Sequence, residues 1–140
     1  MLLSAGVSLA QIAPESWAEI DRLHDQDRHE AVLDRLGGLD PADSAERVEL
    51  LWREARARFS QIDLGLYAGE LSEEEAMERL EAIKELAQEA VDAGGENAPA
   101  QAYFWRGAAR AKIGELKGVL NALFMADDLQ EDLRASVEAD

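Results

Sequence analysis

His24 and His29 are the only imidazoles in the chain, and Asp21, Asp25 and Asp27 lie around them. Converging histidines and carboxylates are the side chains that ligate a divalent cation. Two ligands on one helical face need a spacing of three or four residues, whereas these histidines are five apart. The calcium-loop template also fails, because Asp21 to Asp27 lacks the glycine and the distal glutamate at their places. The group therefore reads as a polar helix–turn–helix tip. Glu73-Glu74-Glu75 and Asp127-Asp128 read as negative charge at the starts of helices, not as acid/base pairs. Gly37-Gly38 and Gly94-Gly95 read as helix stops, not as phosphate loops. There is no Gly-x-Ser-x-Gly turn, no Ser/His/Asp set and no cysteine. That removes the thiol nucleophile, the disulfide and the Cys-ligated metal. The expectation is a non-catalytic protein without a cofactor or metal.

The cations are distributed more tellingly. The chain has 14 Lys and Arg against 30 Asp and Glu, a formal charge of −16. A surface of that sign argues against nucleic acid and against anionic lipid. Six of the 14 cations form two groups: Arg53, Arg56 and Arg58, and Arg106, Arg110 and Lys112. A cationic, ring-bearing surface can take an acidic segment or a carboxylate ligand. The alternative is that Arg56 and Arg110 pair with Glu54, Glu115 or the acids around 73–89.

These side chains must be positioned by helices. Ala, Leu and Glu make up nearly half of the 140 residues, and no stretch alternates with a strand period. Pro14 opens a first helix, with Ser16 and Glu19 as a capping box and Trp17, Ile20 and Leu23 on one face. A turn at 25–27 leads to a short second helix carrying Val32, Leu33 and Leu36. It ends at Gly37-Gly38, and Pro41 prevents continuation. Asp43 or Ser44 caps a third helix whose stripe runs from Val48 through Leu51, Trp52, Ala55 and Phe59 to Leu66. Ser72 caps the fourth, with Glu75 completing a second capping box. Ala76, Leu80, Ile83, Ala87 and Ala90 face inward, and Gly94-Gly95 ends it. A fifth helix is expected over about 99–113, a break at Gly114, a sixth over about 116–125, and a seventh from Asp128 with Leu129, Leu133 and Val137 at steps of four. The sum is an all-α chain of six to seven helices with short, antiparallel connections. Residues 1–13 are apolar and uncharged, and read either as a trimmed export signal or as a first helix covering the core. Residues 14–140 form one helical domain. No run is long and apolar enough for a membrane span. The location is left open between cytoplasm and periplasm.

The chain also repeats itself. Leu50-Leu51-Trp52-Arg53-Glu54-Ala55 aligns without gaps on Tyr103-Phe104-Trp105-Arg106-Gly107-Ala108, with Trp, Arg and Ala identical at an offset of 53 residues. Ala100-Gln101-Ala102-Tyr103, then Gly107, then Gly114-Glu115 resembles the first-helix pattern of a tetratricopeptide repeat. The period of that repeat is about 34 residues. The excess here falls in Leu64 to Arg79, which lengthens both helices of the pair. Such a chain is similar to the regulator of microtubule dynamics family and to the T component associated with bacterial TRAP-type transporters. The resemblance implies a stack of antiparallel helix pairs whose first helices line a concave groove. Carried onto this chain, the groove positions are Leu51, Arg56 and Phe59, then Phe104, Ala108, Ala111 and Lys112, with Arg106 in the same cationic group. Trp52 and Trp105 read as core fillers. The function implied is a protein-interaction module holding a partner segment, acidic if the cations recognise it, in the groove of helices three and five. The terminal helices would also suit a homo-oligomer. The alternative is a periplasmic accessory of a bacterial transporter, holding a small acidic or apolar molecule between helices.

Overall fold

The structure is a computed structural model that describes residues 11–139. The choice between export signal and first helix falls largely on residues 1–10, outside the described residues. Five α-helices follow in order: α1 Pro14–Asp25, α2 His29–Gly37, α3 Ser44–Tyr67, α4 Glu73–Gly94 and α5 Ala100–Ala139, with a 3-10 turn at Gly95–Asn97. Among the described residues there is no strand, and no helix is long and apolar enough to cross a membrane.

The helix starts separate two kinds of signal. Asp43 caps α3 by accepting the Glu46 N–H at 2.9 Å, and Ser72 caps α4 by accepting the Glu75 N–H at 3.2 Å. Each satisfies a donor that the first turn leaves without a partner. The expected box at Ser16 does not form. Pro14 occupies the first turn, Ala13 is the flanking residue, and no side chain caps the helix. The fixed φ of Pro14 suits the first helical position, where its missing N–H costs nothing, so the helix starts ahead of its serine.

Among the described residues the expected six to seven helices are five. The segments read as a fifth, sixth and seventh helix are the single 40-residue α5. Gly114 does not break it. Gly107, Gly114 and Gly118 keep helical backbone and face open space. No proline lies between 100 and 139, and one glycine costs only about 1 kcal/mol relative to alanine when strong helix formers surround it. Gly95 is a different case. Its φ of 54° turns the chain out of α4, a conformation that costs other L-residues most.

Packing follows the stripes. Ile20, Leu23, Val32 and Leu36 of α1 and α2 close onto Ala57 of α3. Ala55 and Ile62 of α3, Ala76, Leu80, Ile83 and Ala87 of α4, and Ala109, Ile113 and Leu116 of α5 form a second cluster. Val48, Leu51, Trp52, Ala90 and Ala102 form a third. Alanines with no exposed surface at 55, 87 and 109 let the three long helices approach closely. The clusters fix the directions. The start of α3 at Val48 and the start of α5 at Ala102 share a cluster with Ala90 at the end of α4, while Ile62 and Leu116 share one with Ala76 at its start. Helix α4 is therefore antiparallel to both α3 and α5. Arg47 pairs with Glu89, and Arg106 with Gln88, across those two seams. Helices α3 and α5 run parallel, and they touch at Phe59 and Trp105.

Candidate functional site

Two groups of side chains stand out, one on each flank of α3. The first joins α3 to α1. Arg53 is buried, and its guanidinium lies 4.7 Å from the centroid of the Trp17 ring and 4.2 Å from that of Trp52. Its Nε donates to Asp21 Oδ1 at 3.0 Å and its Nη2 to Oδ2 at 3.1 Å. Its Nη1 donates to the Glu49 carbonyl at 3.0 Å and to Glu49 Oε2 at 2.7 Å. The Trp52 indole N–H donates to that same Glu49 oxygen. Every guanidinium nitrogen thus has a partner, which is what burying a cation requires. Arg56 donates to Asp21 Oδ1 at 2.8 Å. Burial pushes the Asp21 carboxyl up, but hydrogen bonds and charge from Arg53 and Arg56 outweigh it and hold the group below the usual carboxylate range.

His24 and His29 lie against this group, their ring centroids 5.4 Å apart. His29 is buried, with Nε2 3.5 Å from Asp27 Oδ1. Among the described residues the Nδ1 atoms of both rings and Nε of Arg56 are buried without a hydrogen-bond partner. Burial, then the charges of Arg56 and His29, push His24 below its ordinary value, against smaller opposite effects from Asp25 and Asp21. Among the described residues no three His, Asp or Glu side chains converge as a metal site would need.

The second group lies between α3 and α5. The Phe59 and Trp105 rings sit 5.5 Å apart, tilted at 55°. Phe104 meets Trp105 edge to face at 4.9 Å and 88°. Trp105 is partly buried, whereas Phe104 is 63% exposed. Lys112 reaches Asp63 and Glu115, each at 3.4 Å.

The residues expected to line one groove are therefore divided. Phe59 and Lys112 share the α3–α5 face with Trp105, and Phe104 is exposed beside it. Ala108 is half-buried and Ala111 exposed on the same helix. Leu51 is buried with Val48 and Ala90 and has no surface to offer. Arg56 is engaged by Asp21, not by Glu54, Glu115 or α4. Arg106 donates to Gln88 on α4 at 3.1 Å and lies over the Tyr103 ring. Sequence reasoning missed Asp21 and Trp17 as partners of the cations. A signal for Trp17 exists, since it precedes Trp52 by 35 residues, close to the tetratricopeptide period of about 34.

A third feature is an open groove of about 860 Å³ between α3 and α4. Ile62, Ile83 and Leu86 give it an apolar floor, and its charged lining residues are Arg58 and Arg79 against Glu85, Glu89 and Asp92, with no tryptophan. Compared with known proteins, the chain matches no family model, no curated protein and no solved structure.

Proposed function

We propose that the chain is a non-catalytic protein-interaction module of tetratricopeptide-like build. In this reading α1–α2 and α3–α4 are successive helix pairs and α5 opens a third. The first helices α1, α3 and α5 then carry Trp17, Trp52 and Trp105 at related places. The recognition surface is the α3–α5 face, and the observation that carries it is Phe104, largely exposed against Trp105 while Phe59 supports that ring from α3. A rigid aromatic cluster with an exposed member is the kind of anchor on which peptide recognition concentrates. Lys112 adds a cation that an acidic partner residue would share with Asp63 and Glu115. Peptides selected from a random display library on the full chain supply the probe. The expected result is that most selected peptides lose about tenfold or more in affinity to Phe104→Ala combined with Lys112→Glu. Peptides indifferent to that variant would overturn the reading.

The α3–α4 groove supports a second reading, the small-ligand accessory. Its volume is of the size common for small-molecule sites, its floor is apolar, and Arg79 offers one cation to a carboxylate against the acids Glu85, Glu89 and Asp92 of the same lining. A thermal-shift screen of small aliphatic and aromatic acids tests it, with Arg79→Glu abolishing any stabilisation found.

A further inference from the structure

The charges along the α3–α4 groove are sorted by position. Its α4 wall begins at Arg79, passes Ile83 and Leu86 with Glu85 beside them, and ends at Glu89 and Asp92. Helix α3 adds Ile62 to the floor and Arg58 to the Arg79 end. The antiparallel register places them there, because Ile62 shares a cluster with Ala76 while Val48 shares one with Ala90. Two of these charges are already neutralised. Arg58 pairs with Glu54 at 3.1 Å, and Glu89 pairs with Arg47. Among the described residues Arg79 and Glu85 have no ion-pair partner, and Asp92 accepts the Gln88 amide at 2.9 Å. All three side chains are exposed. The charge left unpaired is therefore one cation at one end and two carboxylates toward the other, with an apolar stretch between.

At a helical rise of about 1.5 Å per residue, Glu85 stands about 9 Å and Asp92 about 20 Å beyond Arg79 along α4. A monocarboxylic acid would use only the Arg79 end and leave both carboxylates facing its apolar tail. A ligand that also carries an ammonium group engages both ends. An extended peptide spans about 3.3 Å per residue, so about three to five residues set their termini about 10–17 Å apart. A groove of about 860 Å³ has room for a ligand of that size. Each exposed ion pair is worth little alone, but one molecule that makes both around an apolar middle adds them without a second association cost. Building on the small-ligand reading of this groove, we propose that it binds an elongated apolar zwitterion. That is the chemistry of a short apolar peptide with free ends, or of a long-chain ω-amino acid. The carboxylate lies at Arg79, the apolar middle over Ile83 and Leu86, and the ammonium group between Glu85 and Asp92.

The test is isothermal titration calorimetry on the full chain at about 0.15 M salt. The probes are an alanine–leucine tetrapeptide with free ends, its N-acetylated and C-amidated forms, a long-chain ω-amino acid, and the alkanoic acid of the same length. The free-ended peptide is expected to bind at least about fivefold more tightly than either blocked form, or the ω-amino acid than the alkanoic acid. Either result supports the proposal, and the tighter of the two ligands names the source. Arg79→Gln should abolish the difference between the free and amidated peptides. Glu85→Gln with Asp92→Asn should abolish the difference between the free and acetylated ones. Circular dichroism should show helix content retained in both variants, since the three side chains are exposed. Equal binding of free and blocked probes would reduce the groove to its apolar floor and overturn the proposal. If the alkanoic acid binds as tightly as the zwitterions and Arg79→Gln alone weakens it, the small-acid reading stands and the zwitterion is overturned. If no probe binds, both fail.

Discussion

Arg53 and Asp21 face each other across α1 and α3 in a two-pronged pair, Nε to Oδ1 at 3.0 Å and Nη2 to Oδ2 at 3.1 Å. The guanidinium is wedged between the rings of Trp17 and Trp52. In this position the pair ties α1 to α3 beside the apolar contacts of Ile20 and Leu23. Arg53 is buried and its partner is half-exposed, so the two substitutions should differ. Asp21→Ala leaves a buried cation with Glu49 alone and removes the partner of Arg56. It should cost about 2 kcal/mol, below the usual cost of breaking a fully buried pair because water reaches Asp21. Arg53→Met keeps an apolar stem between the indoles and should cost less than Asp21→Ala. Urea unfolding of the two variants checks the order, and the reverse order would show that the guanidinium contributes more by stacking than by pairing.

The His24 environment makes a pH prediction whose sign can be worked out. Burial, Arg56 and His29 disfavour its protonated form, so its folded pKa lies below the ordinary 6.5. The unfolded chain then binds more protons in that region, and stability rises with pH through it. The contribution is present in full above the unfolded value and is lost as the pH falls below about 6.5 toward the folded value. Asp21, also lowered, behaves the same way further down, losing its contribution as the pH falls below 3.8. Urea midpoints measured from about pH 8 to about pH 5 should therefore decline on the acid side. His24→Gln should flatten that decline, whereas Asp27→Asn, whose carboxylate is not among these causes, should not. A His24→Gln profile parallel to the parent would remove His24 as the source.

Ser16 and Ser72 look alike in sequence, each with a glutamate three residues on, yet only Ser72 serves as a cap. Ser72→Ala should cost about 1 kcal/mol, the ordinary value for a lost N-cap. Ser16→Ala, inside the first turn of α1, should change stability by no more than a few tenths of a kcal/mol. Chemical denaturation of both checks the contrast, and equal losses would mean that Ser16 supports α1 in some way other than capping.

How much of this is readable in advance follows from the range of each interaction. The stripes at steps of three and four locate α2, α3 and α4 closely, because a buried face imposes its period on the local sequence. Val48 through Ile62 on α3 and Ala76 through Ala90 on α4 are buried as that period requires. The cation group at 53–58 is readable as a cluster, but its partner is not. Asp21 lies 32 residues before Arg53, and among 30 acids no local pattern marks it. Glu54, expected as a partner for Arg56, stands only two residues from it and so faces Arg58 instead, while the packing of α1 brings a distant carboxylate to Arg56. The repeat analogy puts Leu51 in a groove, while its own stripe with Val48 and Ala55 points to the core, where it lies.

Gly114 carries the same lesson in a form that can be measured. Read as a break, it would need the freedom of glycine, and Gly114→Ala would destabilise the chain. In the structure it sits within α5, and a Cβ added there meets nothing within 4 Å. Gly114→Ala should therefore stabilise the protein by about 0.5–1 kcal/mol, through better helix propensity and a less free unfolded chain. Gly95 is the opposite case. It too has open space for a Cβ, but its φ of 54° lies in the left-handed region, so Gly95→Ala should destabilise by about 1 kcal/mol. The two substitutions add the same methyl group to equally open sites, and only the backbone differs. Thermal unfolding of the pair should move in opposite directions. A fall in melting temperature for Gly114→Ala would mean that α5 is interrupted there and that its distal half is not carried on one continuous helix.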